Sequence, residues 1–390
     1  MILMQTKALF IDAYRELNAK KLFWITMALN LVAVVIFASL GITAQGVTFW
    51  HWQFDSMLFN TGLVSQELFY KLQFTSWGAG FWLSWVTTIL ALVSTAGIIP
   101  DLISGGTIEP VLSKPIGRLR LFLTKYLTGL LFVALQIFVF SLGCFIVLGI
   151  RGGAWEFGLF LALPIVLAFF SFLFSFCALV GLLTRSTIAS LLLTMLFWSM
   201  IFVVNLGDNI MLQQREGWKV RLEDRREAVD PQIRFAEARL EQWREEERAI
   251  PGEGDEPLPD NASDVFEAVN PTLRQSRERV TQAEEAVETW SSWASRVYAL
   301  KTVLPKTQET IALLERHLIS DEELRKLMGM NNGSGDFDNE DVPAMADPRA
   351  AQEVAEALRK RTVFWILGTS FVFEGLLLSL CAWIFARRDF

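Results

Sequence analysis

The chain has 390 residues, of which 52% are hydrophobic, with 31 Phe and 14 Trp but only 4 Tyr and 2 His. The apolar residues are concentrated in stretches of about 20 residues with almost no charge, each long enough to cross a ~30 Å hydrocarbon core as a helix. This distribution excludes an ordinary soluble protein, and the net charge of −7 gives no support to nucleic-acid binding. We predict an all-α, multi-pass membrane protein.

The first segment, residues 1–21, places most of its apolar side chains roughly on one helical face and its charged ones towards the other. This pattern predicts a cytoplasmic interfacial helix that leads into the first span. The alternative is a plain cytoplasmic tail. The first apolar run is too long for a cleavable signal peptide, so we expect the first span to act as its own targeting signal.

Six spans are predicted in chain order. They are Leu22–Ile42, Gly78–Ile99, Leu127–Ile150, Leu159–Leu183, Ile188–Leu206 and Thr362–Ala386. Spans 1–5 occupy 22–206, and 362–390 holds span 6 and a cytoplasmic tail. Cys144, Cys177 and Cys381 fall inside these runs and are interpreted as small apolar side chains, not as metal ligands. No metal site is predicted.

The distribution of basic residues predicts the orientation in the membrane. Thirteen Lys and Arg lie outside the long segment 206–361. If the spans alternate, eleven of them face one side, and only Lys71 and Arg151 face the other. Such an excess in short loops indicates the cytoplasmic side. We therefore expect a protein of the cell (inner) membrane with both termini in the cytoplasm and 206–361 outside it.

The segment 207–361 is predicted to be an extracytoplasmic helical domain. Two heptad-like seams indicate coiled-coil packing. They comprise Leu222, Val229, Ile233, Ala236, Leu240 and Trp243, and then Val280, Ala283, Val287, Trp290, Ala294 and Val297. Asp230 and Asn270 each precede a proline, which is typical of a helix start. Breaker-rich residues between the seams predict an antiparallel hairpin or small bundle.

The loop between spans 2 and 3 reads DLISGGTIEPVLSKPIGRLRLFLTKYL, Asp101 to Leu127. The letters ISGGT are similar to an ATPase signature, but a nucleotide site also needs a Gly-rich loop that ends in Lys and Ser or Thr. The dipeptide Gly-Lys does not occur in the chain. We therefore expect no ATP hydrolysis by this chain. Pro100 is predicted to end span 2, and 101–112 to form a short helix.

At these residues the sequence resembles the ABC-2-type permeases, the membrane subunits of one group of ATP-binding-cassette transporters. SGGTIEPVLSKPIGRLRLFLTKYL is similar to their coupling-helix region, and VLPKTQET, Val303–Thr310, is similar to a recurrent element of the last outer loop. The basic ending IFARRDF, the entry helix and the six spans also match. The resemblance covers 1–206 and 362–390, whereas 207–300 departs from it as a large insertion.

The resemblance implies a homodimer or heterodimer of six-helix subunits and a separate ATPase subunit, which binds ATP and Mg²⁺, on the cytoplasmic side. It implies that the helix 101–112 docks into that ATPase, with Glu109 the residue that contacts a basic partner. The residues carried over to this coupling site are Asp101, Ser104, Gly105, Gly106, Thr107, Glu109, Lys114, Pro115 and Arg118. The alternative is an ordinary loop helix that packs on its own bundle.

Polar residues inside the predicted spans are further candidates. A carboxylate at mid-span costs roughly 2.5–3.5 kcal/mol, so Glu374 in span 6 is a functional candidate. Gln136 lies at the middle of span 3. Both are predicted as a possible intramembrane polar site, and the alternative is interhelical hydrogen bonding, which is widespread in such proteins.

Three functions remain open from the sequence. The first is the permease subunit of an exporter whose substrate the sequence does not name. The second is a mechanical transmission protein, in which ATP turnover in the cytoplasm moves the outer hairpin against an extracytoplasmic protein and nothing crosses the bilayer. The third is a membrane scaffold unrelated to these transporters. No catalytic residue and no cofactor of the chain itself is predicted.

Overall fold

A computed structural model describes residues 21–55, 61–104, 117–248, 271–320, 322–323 and 347–387, and this part of the chain is mostly helical. It contains six helices that are long and apolar enough to span a membrane, by length and composition. They are Lys21–Ser39, Gln66–Ile103, Arg118–Gly152, Phe157–Thr184, Thr187–Phe235 and Phe364–Arg387. The prediction of a multi-pass helical membrane protein with six spans is confirmed. The predicted interfacial helix 1–21 lies outside the described residues except for Lys21, which begins the first span.

The elements follow in chain order. The first half contains α1 Lys21–Ser39, β1 Leu40–Thr43, β2 Gly46–Phe49, β3 Trp52–Asp55, α2 Gln66–Gln73, a π-helix Phe74–Thr87, α3 Thr88–Thr95, α4 Ile98–Ser104, α5 Arg118–Val147 with a π turn Leu148–Gly152, a 3₁₀ turn Phe157–Leu161 and α6 Ala162–Thr184. The second half contains α7 Thr187–Arg248, α8 Pro271–Val303, α9 Thr307–Leu318, α10 Pro348–Arg359, a π turn Phe364–Gly368 and α11 Thr369–Arg387.

A small antiparallel sheet follows span 1, which corrects the all-α prediction. Its three strands are ordered β1-β2-β3, with Leu40 paired to Phe49 and Phe49 paired to Trp52. The strands are short and rich in Thr, Val, Phe and Trp, residues that favour β-structure. The predicted span 1 extends to Ile42, whereas α1 ends at Ser39 and Ile42 is in β1.

Two basic residues predicted on the non-cytoplasmic side bind partners near this sheet. Lys71 is buried, and its Nζ lies 2.6 Å from Glu67 Oε1 and 3.3 Å from Glu156 Oε2. Arg151 donates to the backbone carbonyls of Ala38 and Leu40, where span 1 ends. Local ion pairing and capping therefore give these two charges a structural role of their own.

Span 4 lies at the centre of the helix bundle. Its helix α6 packs against α4, α5, α9 and α11. In its most apolar stretch 72% of the residues are buried, against 22% in the corresponding stretches of spans 5 and 6. Phe169, Phe170, Phe172 and Phe174 are buried in this core. The outer spans instead expose leucines, such as Leu192 and Leu196 of α7, as expected for helices in contact with lipid tails.

The described residues divide into two compact units. One, which we call the span unit, contains the spans together with 300–320. The other, which we call the hairpin unit, contains 206–248, 271–299 and 347–360. The predicted extracytoplasmic domain comprises all of 207–361. Helix α9 groups with the spans because Leu314, Leu318 and Ile319 are buried in the same apolar cluster as the span residues.

The second unit contains an antiparallel pair formed by α7 and α8. Val229 and Leu273 are buried together, with Ile233 and Val280 packed beside them. Arg226 Nη2 lies 2.6 Å from Glu284 Oε1. The six seam residues predicted on α8 are all buried or partly buried, between more exposed neighbours. The buried face of α8 thus agrees with the prediction, and the coiled-coil assignment itself stays a prediction.

One of the two predicted helix starts is correct and the other is wrong. Pro271 begins α8, whereas Pro231 lies inside α7. A proline within a helix removes one backbone hydrogen bond to the carbonyl four residues earlier. That carbonyl belongs to Glu227, which is exposed along with Pro231, so water can satisfy it and the helix continues.

Candidate functional site

The segment predicted to couple to an ATPase begins in the structure as helix α4. This helix begins at Ile98, before the predicted start at Asp101. Leu102 and Ile103 are buried, and α4 packs against α5 and α6. Asp101 is exposed, and its Oδ1 accepts a hydrogen bond of 3.2 Å from Thr187 Oγ1. The first part of the segment is therefore held against three elements of the bundle.

Most of the other predicted coupling residues lie outside the described residues. Ser104 ends α4 and Arg118 begins α5. The residues outside the described part are Gly105, Gly106, Thr107, Glu109, Lys114 and Pro115. Their assignment to the coupling segment stays a prediction from the sequence.

Span 2 is interrupted before Pro100, which corrects the prediction that this proline ends it. Helix α3 ends at Thr95, and a turn at Ala96 and Gly97 separates it from α4. Pro100 then lies in the first turn of α4, where its missing N–H has no helical acceptor to satisfy. The chain therefore leaves span 2 as a new short helix.

Two glycines allow α4 to approach its neighbours closely. A Cβ on Gly181 of α6 would lie 3.0 Å from Pro100 Cδ, and one on Gly129 of α5 would lie 2.7 Å from Phe174 and 3.2 Å from Ile98. All three distances are shorter than ordinary van der Waals contacts. A larger residue at either position would push α4 or its neighbour out of place.

Glu374 is bound by two neighbouring spans. Its Oε1 accepts a hydrogen bond of 2.8 Å from the hydroxyl of Tyr126, and its Oε2 accepts one of 2.9 Å from Ser171 Oγ. The Tyr126 hydroxyl also lies 3.1 Å from the carbonyl oxygen of Ser171. Glu374 is 7% exposed. These hydrogen bonds join span 6 to spans 3 and 4, which agrees with the alternative of interhelical hydrogen bonding.

Gln136 is fully buried and lies at a different place. Its Nε2 donates to Thr26 Oγ1 over 2.8 Å. Its Oε1 has no hydrogen-bond partner among the described residues. Gln136 follows Tyr126 by ten residues on α5, which is about 15 Å along the helix axis. The structure therefore separates the two residues that were predicted as one intramembrane polar site.

A buried ionic cluster, which we call the Glu309 cluster, lies where α8, α9 and span 6 meet. Glu309 Oε1 forms ion pairs with Lys301 Nζ and with Arg361 Nη1, the latter at 2.5 Å. Lys301 and Glu309 are 2% and 5% exposed. Glu309 Oε2 has no hydrogen-bond partner among the described residues. One carboxylate thus holds two cations from segments on either side of it.

Lys306 lies next to this cluster in the loop before α9. It is fully buried, and its Nζ donates to the carbonyl of Thr302 over 2.6 Å and sits 5.1 Å above the ring of Trp365. Its backbone N–H donates to Ser370 Oγ, which ties the loop to span 6. Burial lowers the pKa of Lys306 to about 8, the Glu309 carboxylate opposes this shift, and the Lys301 charge adds to it.

The segment VLPKTQET is recognisable from the sequence, but its ionic contacts are not. The signal within reach was a short stretch with three charged residues, Lys301, Lys306 and Glu309, around Pro305. A surface loop has the same pattern. The partner Arg361 is 52 residues further along the chain, so no local pattern connects it to Glu309.

The fold and these sites define a multi-pass helical membrane protein with a tightly packed short helix after span 2. No family model, curated protein or solved structure matches the chain. Within the described residues, no group of three or more His, Cys, Asp or Glu side chains could hold a metal ion.

Proposed function

We propose that the protein is the permease subunit of an ATP-binding-cassette exporter, driven by an ATPase on a separate chain. The observation that carries this proposal is the placement of α4. It follows the break in span 2 directly, buries Leu102 and Ile103 between α5 and α6, and leads into the SGGTIEP–SKP segment that resembles a coupling helix. A force applied to that segment would reach the core of the bundle through α4.

The charges around α4 support a cytoplasmic location. Arg118 begins α5, Arg185 is the C-cap residue that follows α6, and Asp101 contacts Thr187 at the start of α7. Arg118 and Arg185 are two of the bases that the sequence places on one side, and basic loops favour the cytoplasm. An ATPase that acts on this protein would dock at this end of the bundle.

The test is the ATP turnover of a candidate partner ATPase, measured alone and with the purified chain. The candidate is any ATP-binding-cassette ATPase that is found encoded beside this protein. We expect the mixture to differ from the ATPase alone, and Glu109→Lys to remove at least 90% of that difference, because a reversed charge repels a basic partner residue with a cost on the order of 1–3 kcal/mol.

Glu322→Lys is the matched control. Glu322 is exposed in the span unit, and the alternation of the spans places it on the opposite side of the membrane. The same charge reversal there should leave turnover unchanged. If no ATPase binds or responds to the chain, the permease proposal fails and the scaffold alternative gains support.

The second candidate function is mechanical transmission without cargo. The observation that favours it is that α7 is one helix from Thr187 to Arg248, so span 5 and the charged hairpin share a helix. Deleting 212–300 distinguishes the two functions. Loss of biological function with ATP turnover intact would favour transmission. Substrate-stimulated turnover in liposomes that survives the deletion would favour export.

A further inference from the structure

A cavity of about 260 Å³ lies in the span unit between span 2, span 5 and α9. Thr75 to Trp85 form one side, Trp198 to Asn205 of α7 form a second, and α9 forms the third, with Phe169 of α6 at its base. The loop that carries Lys306 positions α9 through its bond to Ser370. The Glu309 cluster therefore supports one wall of this cavity.

The apolar part of the cavity is an aromatic wall. Trp85 and Trp198 stack with ring centroids 4.8 Å apart, Phe202 meets Trp85 edge-on at 5.4 Å, and Phe169 meets Trp198 at 6.0 Å. Trp85 and Phe202 remain 36% and 37% exposed, so the wall is open to a molecule that arrives through the lipid. Aromatic rings of this kind bind hydrocarbon and also attract cations at their faces.

The polar part of the cavity has a marked charge preference. Asn205 is 1% exposed and donates to Thr307 Oγ1 over 3.3 Å, so two buried polar groups lie at its edge. Among the described residues that line the cavity, Glu315 is the one charged side chain, and none is Lys or Arg. An anionic head group would find no positive charge here, whereas an ammonium group would find a carboxylate and aromatic faces.

We infer that this cavity binds a single-chain amphiphile with a cationic head, the tail against the aromatic wall and the ammonium group towards Glu315. The volume leaves room for one hydrocarbon tail and not two. Sites for drug-sized ligands usually have ~300–1,000 Å³, and this cavity is slightly smaller. The statement that this amphiphile is the exported cargo rests on the proposed export function. Its binding is a property of this chain alone and can be tested without an ATPase.

The test is photolabelling of the full chain in phosphatidylcholine nanodiscs with a dodecylamine that carries a diazirine in its tail. At neutral pH the amine is protonated. We expect saturable labelling of peptides that contain 198–205 and 307–315. Excess dodecylammonium should compete fully, dodecyl maltoside about fivefold less well, and dodecyl sulfate least of all.

Two variants and one control locate the labelling. Ala312→Trp fills the cavity from α9 and should reduce the saturable labelling about tenfold. Leu192→Trp adds the same side chain to the lipid-facing surface of α7, where Leu192 is 62% exposed, and should change nothing. Glu315→Gln alters an exposed side chain without removing the cavity, and should abolish the preference for dodecylammonium over dodecyl maltoside.

Each outcome decides the inference. Labelling spread evenly over lipid-facing residues, or equal competition by the three head groups, would overturn it as simple partitioning into the bilayer. Labelling that Ala312→Trp leaves intact would also overturn it. If the cavity is labelled as expected while no ATPase responds to the chain, the binding site stands and the export proposal fails.

Discussion

Two ion-paired sites, one in each unit of the protein, differ in how far they are buried. In the span unit, the Glu309 cluster is buried, with the side chains of Lys301, Glu309 and Arg361 only 3%, 5% and 10% exposed. In the hairpin unit, Arg226 and Glu284 are 57% and 45% exposed. The geometry of each pair is equally close, but water screens the second and not the first.

The same kind of contact therefore contributes a different free energy of stabilisation at the two sites. Removing one partner of a buried pair leaves an uncompensated charge and costs about 3–5 kcal/mol. Removing one partner of an exposed pair typically costs about 0–1 kcal/mol. Burial of the Glu309 cluster therefore makes it a determinant of how α9 sits on the spans, whereas the hairpin depends on its apolar seam.

The largest expected effect is that of Glu309→Gln. The substitution keeps the shape of the side chain but removes the negative charge that Lys301 and Arg361 share, so the free energy of unfolding should fall by about 3–5 kcal/mol. Thermal unfolding of the detergent-purified protein measures it. The matched control, Glu284→Gln, should cost at most about 1 kcal/mol. Equal losses for the two variants would contradict the comparison.

The next effect is the pH dependence that Lys306 contributes. Its pKa in the folded protein is about 8, below its ordinary value of 10.5. Between these values the unfolded chain holds a proton that the folded protein has lost, so stability rises as pH increases from 8 towards 10.5. The contribution is on the order of 2 kcal/mol.

Lys306→Met isolates this contribution. Methionine keeps the apolar stem next to Trp365 but cannot be protonated, so the variant should lose the rise. The measurement is the difference in unfolding temperature between wild type and variant at pH 7.5 and pH 9.5. A difference that does not change with pH would show that Lys306 is equally protonated in both states.

The apolar seam of the hairpin should dominate its stability. Leu273→Ala removes a side chain that is 3% exposed and should cost about 2 kcal/mol, the lower end of the range for buried leucines, because a two-helix seam can partly collapse. Leu273→Met is the control and should cost less than about 1.5 kcal/mol. Limited proteolysis of 206–299 reports the opening. If Glu284→Gln opened the hairpin more than Leu273→Ala, the ion pairs would be its main support.

The smallest effect is expected from the intramembrane contact of Glu374. A double-mutant cycle of Tyr126→Phe and Glu374→Gln should give a coupling free energy of about 0.6–1.7 kcal/mol, the size of interhelical hydrogen bonds in membranes. Unfolding in mixed detergent measures it. A coupling near zero would mean that the Tyr126 hydroxyl binds Glu374 without contributing to stability. Loss of transport with normal stability would instead identify a functional carboxylate.

The spans were predictable because one property, a long run without charge, specifies a transmembrane helix almost by itself. The buried face of α8 was predictable for a similar reason, since Ala283 and Ala294 recur with the period of a helix. The interruption after Thr95 was displaced to Pro100 in the prediction, because proline at a helix start and at a helix end have the same local signature.

The sheet and the Glu309 cluster could not be predicted with the same means. Aromatic residues around Trp50 and Trp52 suit both a strand and a membrane interface, and the choice depends on pairing between strands. The cluster depends on contacts between Glu309 and Arg361, which meet only in the folded protein. The separation of Gln136 from Glu374 likewise follows from the helix rise and from which neighbours each one faces.

The π-helix Phe74–Thr87 differs from the other parts of span 2 in its hydrogen-bond pattern. Its hydrogen bonds run between residues five apart in the chain rather than four. It carries Gly80, Ser84 and Trp85 of the cavity wall and is continuous with α3, which ends just before α4. If these residues adopted the α-helical hydrogen-bond pattern, each residue of register shift would rotate the chain after Thr87 by roughly 100° about the helix axis. A change in the hydrogen-bond pattern of span 2 would therefore alter both the orientation of α4 and the wall of the cavity.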